Sequence, residues 1–174
     1  MPKTLITGGA GFIGCNAARR FMERGHDVVV LDNLSRKGTR ENLEWLKEVG
    51  EYTLEHYDIR DAEAMNAVFN RHKDVDNVLH LAGQVAVTTS VINPREDFEI
   101  NATGTMNILE AIRELGIKPI VLYTSTNKVY GGMEEIATHE ANGRYQYTDL
   151  PKGIDETAKL DFHSPYGCSK GAAD

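Results

Sequence analysis

The 174-residue sequence has only two cysteines, Cys15 and Cys168. They show neither the metal-binding nor the redox spacing, and two thiols make no disulfide framework, so both are read as reduced, in a cytoplasmic protein. No apolar run approaches the ~18 residues that a membrane span needs. The N-terminus lacks the charged segment, apolar stretch and cleavage site of a signal peptide. Basic residues are outnumbered, 19 Lys and Arg against 26 Asp and Glu, and they form no patch or stripe, which argues against a nucleic-acid partner. The six histidines fall at no metal-ligand spacing, so no metal site is expected and His80 is read as packed at a strand end. What remains is an ordinary soluble composition, 41% hydrophobic and 26% charged, long enough for one domain with a real core.

Short apolar runs alternate with helical patterns. The strand candidates are Lys3–Thr7, Asp27–Asp32, Tyr52–Asp58, Asn77–Ala82 and Pro119–Thr124. Four of them are rich in Val, Ile, Leu or Tyr, as strands buried on both faces are. Phe12–Arg24 puts Ile13, Ala17 and Phe21 on one helical stripe, and Arg40–Val49 carries Leu43 and Leu46 with Gly50 as its stop. Asp61 is placed to cap a third helix burying Met65, Val68 and Phe69. A fourth, within Glu96–Leu115, aligns Ile100, Gly104, Ile108, Ala111, Ile112 and Leu115 before Gly116 ends it. Strand and helix in repeated alternation predict an α/β fold, a doubly wound parallel sheet of Rossmann type. From Gly131 to His163 the periodicity disappears, as in many binding loops. Ser164-Pro165 then opens a helix as capping residue and first-turn proline. The chain stops at Asp174 with no closing signal, so the sheet is expected to be truncated after this helix begins.

Directly after the first strand, Gly8–Gly14 reads GGAGFIG and opens the first helix. The pattern needs one glycine for a tight turn, a second for backbone approach to a pyrophosphate and a third for close helix–strand packing. The helix N-terminus then favours the negative charge. Strand–turn–helix context makes this a dinucleotide site rather than a structural turn. Asp32 closes the second strand, where a carboxylate accepts from adenosine ribose hydroxyls and repels a 2′-phosphate; NAD is therefore expected over NADP. Arg36 and Lys37 follow as an exposed basic loop.

Tyr166 and Lys170 stand at i and i+4, on one face of the helix that Ser164 starts. A tyrosine titrates near 10, and lowering that by ~3 units takes ~4 kcal/mol of preferential phenolate stabilisation. A neighbouring ammonium and a positive nicotinamide ring can supply it. A third hydroxyl is expected from Tyr123-Thr124-Ser125-Thr126, at the carboxyl edge where open α/β sheets bind ligands.

These strings together resemble the extended short-chain dehydrogenase/reductase family, in its NAD-dependent epimerase/dehydratase branch, along all 174 residues. GGAGFIG from Gly8 and HLAGQVAVTTS from His80 are shared broadly among sugar-nucleotide enzymes. DNLSRKG from Asp32, DIRD from Asp58 and DFEIN ending at Asn101 match further. STNKVYG from Ser125 and DFHSPYGCSKGAAD from Asp161 are narrower, and resemble epimerases that act at C2 of a CDP-3,6-dideoxyhexose. The resemblance implies that Gly8, Gly11, Phe12, Ile13 and Gly14 line the pyrophosphate of NAD. Asp32 and Asn33 would lie at the adenosine ribose, Asp58 and Ile59 at the adenine, and Ala82 and Gln84 along the cofactor with Asn101 behind. Thr126 matches the Ser/Thr catalytic position, Tyr166 the base, and Lys170 its partner and holder of the nicotinamide ribose. The implied chemistry is epimerisation through a transient 2-keto sugar, on a nucleotide-sugar substrate with a CDP-sugar favoured.

Three other readings stand beside it. A UDP-sugar 4-epimerase uses the same trio. A 4,6-dehydratase carries Thr-Asp-Glu where this chain has Thr126-Asn127-Lys128, and an amide and an ammonium cannot act as its acid and base. The third is an inert NAD-binding fragment, because the family's smaller C-terminal substrate domain is expected to follow the Tyr/Lys helix and is absent here. Residues 1–174 would thus be the NAD-binding domain of a two-domain enzyme. Family members dimerise through the fourth and the Tyr/Lys helices, so the longer protein is expected to be a homo-oligomer. Gly167–Gly171 spells the nucleophile-elbow pattern G-x-S-x-G, but it lies within a helix rather than at a strand-to-helix turn and is set aside.

Overall fold

In the computed structural model, which describes residues 1–174, five strands form one parallel sheet: β1 (Lys3–Thr7), β2 (Asp27–Leu31), β3 (Thr53–Glu55), β4 (Asn77–His80) and β5 (Ile120–Tyr123). Their order is β3-β2-β1-β4-β5. Alternate side chains of the central strands go to opposite faces and sort the core into two halves. Leu5, Val29, Leu31 and Val78 meet Met65, Val68 and Phe69 of α3 (Ala62–Arg71) and Ile108 and Ala111 of α6 (Gly104–Glu114). Ile6, Val28 and Val30 meet Cys15 and Ala18 of α1 (Phe12–Met22) and Leu43 and Leu46 of α2 (Thr39–Val49). Each such large side chain, fully withdrawn from water, stabilises the fold by about 1.5–3 kcal/mol. The Rossmann-type sheet expected from the alternation is what forms.

Element ends follow the local signals. Asp61 caps α3, accepting from the Ala64 amide at 3.0 Å. Ser164 caps α7 (Pro165–Ala173), accepting from the Gly167 amide at 3.0 Å, with proline at the first helical position. The three-residue β3 is tied down by Glu55, whose buried carboxylate accepts from Arg71 at 3.0 and 2.6 Å and bonds His72 at 2.8 Å. Arg71 holds that carboxyl below its ordinary range against the opposing effect of burial.

Four expectations need correction. Ile13 does not share the buried stripe of α1. Gly14, Cys15 and Ala18 face the sheet because the helix begins against the glycine loop, and this turns Ile13 outward, 66% exposed. β5 is not buried on both faces: it forms one border of the sheet, and Ile120, Val121 and Leu122 are exposed. The fourth helix is not one uniform helix. A separate α4 (Val87–Ile92) precedes it, and α5 (Pro94–Phe98) runs into α6 through a π-helical turn, Glu99–Thr103. Finally, the aperiodic stretch contains a hairpin, β6 (Thr138–Ala141) with β7 (Arg144–Tyr147), joined by Asn142-Gly143 at φ 55° and 74°. Two successive left-handed residues make the tight hairpin turn for which Asn-Gly is suited. A 3₁₀ turn, Asn127–Tyr130, follows β5. No helix is long and apolar enough to cross a membrane.

Candidate functional site

β1 and β4 are neighbours, yet the chain leaves β1 toward β2 and β3 on one side and reaches β5 on the other. Such a reversal opens a crevice at the carboxyl ends of the strands. Gly8 enters it at φ +66°, and a Cβ there would lie 2.8 Å from the Ala82 nitrogen beyond β4. A Cβ on Gly14 would collide with the carbonyl oxygen of Gly8. The loop is therefore pinned between β1, β4 and α1 with room for backbone only. Its amides can be accounted for one by one. Gly8 and Gly9 donate to the Leu31 carbonyl, Gly11 to the Gly8 carbonyl, and Ala10 to Asp32 Oδ2. The amides of Phe12, Ile13 and Gly14 have no acceptor within the chain. Three unpaired donors at the N-terminus of an 11-residue helix, in a cradle that any Cβ would fill, fit a dinucleotide pyrophosphate.

The flanking candidates are arranged around this cradle. Asp32 is buried and its other oxygen accepts from the Leu34 amide at 2.8 Å, which holds the carboxylate at the end of β2. Asn33 donates to Asp58 at 2.9 Å, and Arg60 clamps the same carboxylate through its backbone amide and two guanidinium nitrogens. Arg60, outweighing burial, holds the Asp58 carboxyl down to about 2. Ile59 turns its side chain inward, where a Cβ on Gly104 would touch it at 2.6 Å. Only its backbone is left to face a ligand. Phe12, like Ile13, stands exposed at the head of α1. Ala82 donates its amide to Thr7 Oγ1 at 3.1 Å.

On the other side of β4, Tyr166 and Lys170 are both buried on α7. The Tyr166 amide donates to Ser90 Oγ of α4 at 3.1 Å. Lys170 Nζ lies 4.2 Å from the centre of the Tyr123 ring and 4.0 Å from where a Cβ of Gly83 would be. Burial pushes the Lys170 ammonium down to about 8, with Asp174 and Asp97 opposing it. Burial likewise pushes the Tyr123 phenol up. His80 is locked between Thr7 Oγ1 at 2.6 Å and Thr105 Oγ1 at 2.9 Å, and burial, aided by the charge of Lys170, holds it down to about 4.

Thr126 caps the 3₁₀ turn, its hydroxyl accepting from the Lys128 amide at 3.3 Å. That turn lies against α7, where a Cβ on Gly167 would come within 2.7 Å of the Lys128 carbonyl oxygen. Thr126 and Tyr166 are thus on touching elements, but no hydrogen bond joins their hydroxyls. Gln84 does not extend along the crevice. Its side chain turns inward to the Ala86 carbonyl and to Asp97 Oδ1 at 2.8 Å, while Asn101 Oδ1 accepts the Gln84 amide at 2.9 Å. Residues not singled out from sequence complete this layer beside Tyr123: Ser90, Asp97 and Ser169. Their only local signal is a polar residue on a face otherwise suited to burial.

Comparison with known proteins fits this geometry. The family described as GDP-mannose 4,6 dehydratase matches residues 5–174. The chain belongs to the NAD-dependent epimerase/dehydratase family. Among curated relatives, the CDP-paratose 2-epimerase of Salmonella typhi is 51% identical over 172 residues, covering 99% of this chain and 51% of that protein. A putative UDP-glucose 4-epimerase of Methanocaldococcus jannaschii is 39% identical, covering 95% of this chain and 47% of its own length. Of solved structures, the UDP-Glc/GlcNAc 4-epimerase of Campylobacter jejuni superposes with a TM-score of 0.81 at 30% identity, covering 99% of this chain and 47% of that one. The Thermus thermophilus UDP-glucose 4-epimerase in complex with NAD gives 0.75 at 33%, covering 98% and 48%. The chain spans about half the length of these family members.

Proposed function

We propose that residues 1–174 form the NAD-binding and proton-transfer domain of a sugar-nucleotide epimerase whose substrate is a CDP-sugar, epimerised at C2 as CDP-paratose is. The observation that carries the reading is the adjacency of cradle and lysine. A Cβ on Gly8 would meet Ala82, and one on the next residue, Gly83, would lie 4.0 Å from Lys170 Nζ, so a dinucleotide laid on the cradle leads toward the Tyr166 helix. The 51% identity to the CDP-paratose 2-epimerase, against 39% to the putative UDP-glucose 4-epimerase, favours C2 chemistry.

NAD, when bound, supplies the hydride acceptor and later the donor. The amides of Phe12, Ile13 and Gly14 hold its pyrophosphate, Asp32 its adenosine ribose and Lys170 its nicotinamide ribose. Asn33, Asp58 and the Ile59 backbone form the adenine end. Tyr166 takes the proton from the C2 hydroxyl of the sugar as the carbon is oxidised, and returns it to that oxygen on reduction of the opposite face. Thr126 offers a hydroxyl to the same oxygen. The positive charge of Lys170 stabilises the phenolate that the first transfer needs. Asn127 and Lys128 provide no carboxyl pair for dehydration.

The test is incubation of the longer protein, purified with its NAD, with CDP-paratose, followed by NMR of the sugar ring protons. Inversion at C2 without net NADH supports the proposal. Inversion of UDP-glucose at C4 in preference to CDP-paratose would replace it with the 4-epimerase reading.

A further inference from the structure

Asp97 is 1% exposed, and no lysine, arginine or histidine forms an ion pair with it. Its carboxylate instead gathers neutral donors: Gln84 Nε2 at 2.8 Å and Asn101 Nδ2 at 3.5 Å on one oxygen, Ser169 Oγ at 2.5 Å on the other. Ser169 is fully buried, also receives Asn101 Nδ2 at 3.0 Å, and sits immediately before Lys170. A buried charge is costly unless something compensates it. A cation one residue from Ser169, Lys170, is itself buried, and the negative charge of Asp97 favours its ammonium form.

We propose that Asp97 is a positioning residue, which through Ser169 fixes the rotation of α7 and by its charge retains the Lys170 ammonium in the site. The inference rests on the reading that Tyr166 and Lys170 carry the proton transfer. α7 is short and its cap at Ser164 controls only its first turn. The Tyr166 amide donates to Ser90, and farther along the Tyr123 hydroxyl donates to the Lys170 carbonyl at 3.4 Å and Ser125 to Asp174 at 2.8 Å. Ser169 adds the fully buried side-chain bond to this set, one residue from Lys170. The groups that act on the Lys170 amine are Asp97 from α5, Tyr123 from β5, His80 from β4, and Asp174 at the C-terminal end of α7. Of these, Asp174 is spent in part on Ser125, whose hydroxyl it accepts at 2.8 Å near the surface. Asp97 is the buried member of the set that carries negative charge.

The experiment is a pH titration of the Lys170 amine by NMR in the cofactor-free chain, with lysine labelled at Cε and the signal assigned by Lys170→Arg. Asp97→Asn is expected to lower the Lys170 midpoint by about half a unit or more. Ser169→Ala, which keeps the charge, is expected to leave the midpoint within a few tenths. It should instead speed amide hydrogen exchange over Tyr166–Gly171 by about tenfold relative to α3. An unmoved midpoint in folded Asp97→Asn, or unchanged exchange in Ser169→Ala, overturns the proposal. If Asp97→Asn does not fold, Ser169→Ala decides alone. Since NAD is absent, a chain that fails to bind NAD sinks the functional reading without touching this result. Normal NAD binding with an unmoved Lys170 sinks only the role of Asp97.

Discussion

Between Thr7 and Gly14 the chain shapes its candidate site with backbone; between Ser90 and Lys170 it does so with buried side chains. In the first region the donors are amides, fixed by a left-handed Gly8 and by the lack of space for a Cβ at Gly14. Eight consecutive residues hold almost all of it. In the second, Ser90, Asp97, Asn101, Ser169 and Lys170 come from α4, α5, the π-helical turn and α7; Asp97, Asn101 and Ser169 bond one another, and Ser90 holds the Tyr166 amide. A backbone site fails only when something is added to it. A side-chain network fails when something is taken away.

That contrast can be broken at its strongest point first. Gly14→Val places atoms on the Gly8 carbonyl. It is expected to abolish NAD binding in calorimetry, a loss beyond ~100-fold, and to cost about 3 kcal/mol in thermal unfolding. Binding within tenfold of the wild type would mean that the backbone is not what holds the first region. Removing one oxygen from the second region, Tyr166→Phe, should lower turnover of the proposed epimerase by about 10²–10⁴ while NAD affinity stays within about threefold. Parallel losses in both would show that the two regions are not separable.

The pH dependence of stability probes the hinge between them, because His80 bonds Thr7 of one region and Thr105 beside the other. Its folded value is lowered to about 4 from an ordinary 6.5. The unfolded chain therefore binds the proton first as pH falls. Stability is full above the unfolded value and lost as pH falls through 6.5 toward 4, by at most about 3 kcal/mol. Denaturant unfolding between pH 7 and 4 should show this slope, and His80→Asn should flatten it. The smallest effect is Ser164→Ala, which removes the α7 cap and should cost about 1 kcal/mol. An effect much above that would show that Ser164, and not Ser169, carries the placement of α7.

The same contrast explains what could be read from sequence. The cradle was legible because its physics is local: a strand, glycines and a helix start within a dozen residues. Asp61 and Ser164 were legible as caps for the same reason. Asn142-Gly143 is a local turn signal as well, but the strands it joins are polar and mostly exposed, so no hydrophobic alternation announced them. The exposed β5 reads like a buried strand because composition does not report position in a sheet. Asp97 and Ser169 were illegible for a different reason. A polar residue at a helical position looks solvated until tertiary packing covers it, and Gln84, read toward the cofactor, is drawn inward by that packing. Tyr166 and Lys170 were accessible through spacing and family resemblance, while their burial emerged only in the fold.

The π-helical turn at Glu99–Thr103, where the Gly104 amide reaches back to the Glu99 carbonyl, has a consequence for how this stretch tolerates changes of length. A wide turn holds about one residue more than an α-helical one, so the stripes before and after it are out of phase by roughly 100°. Asp97 and Asn101 thereby address α7, and Ile108 and Ala111 address α3 and the sheet. Losing one residue here would leave a smoother helix with one of its two partners facing the wrong stripe. The irregular turn acts as the phase joint of a shaft that meshes with two gears.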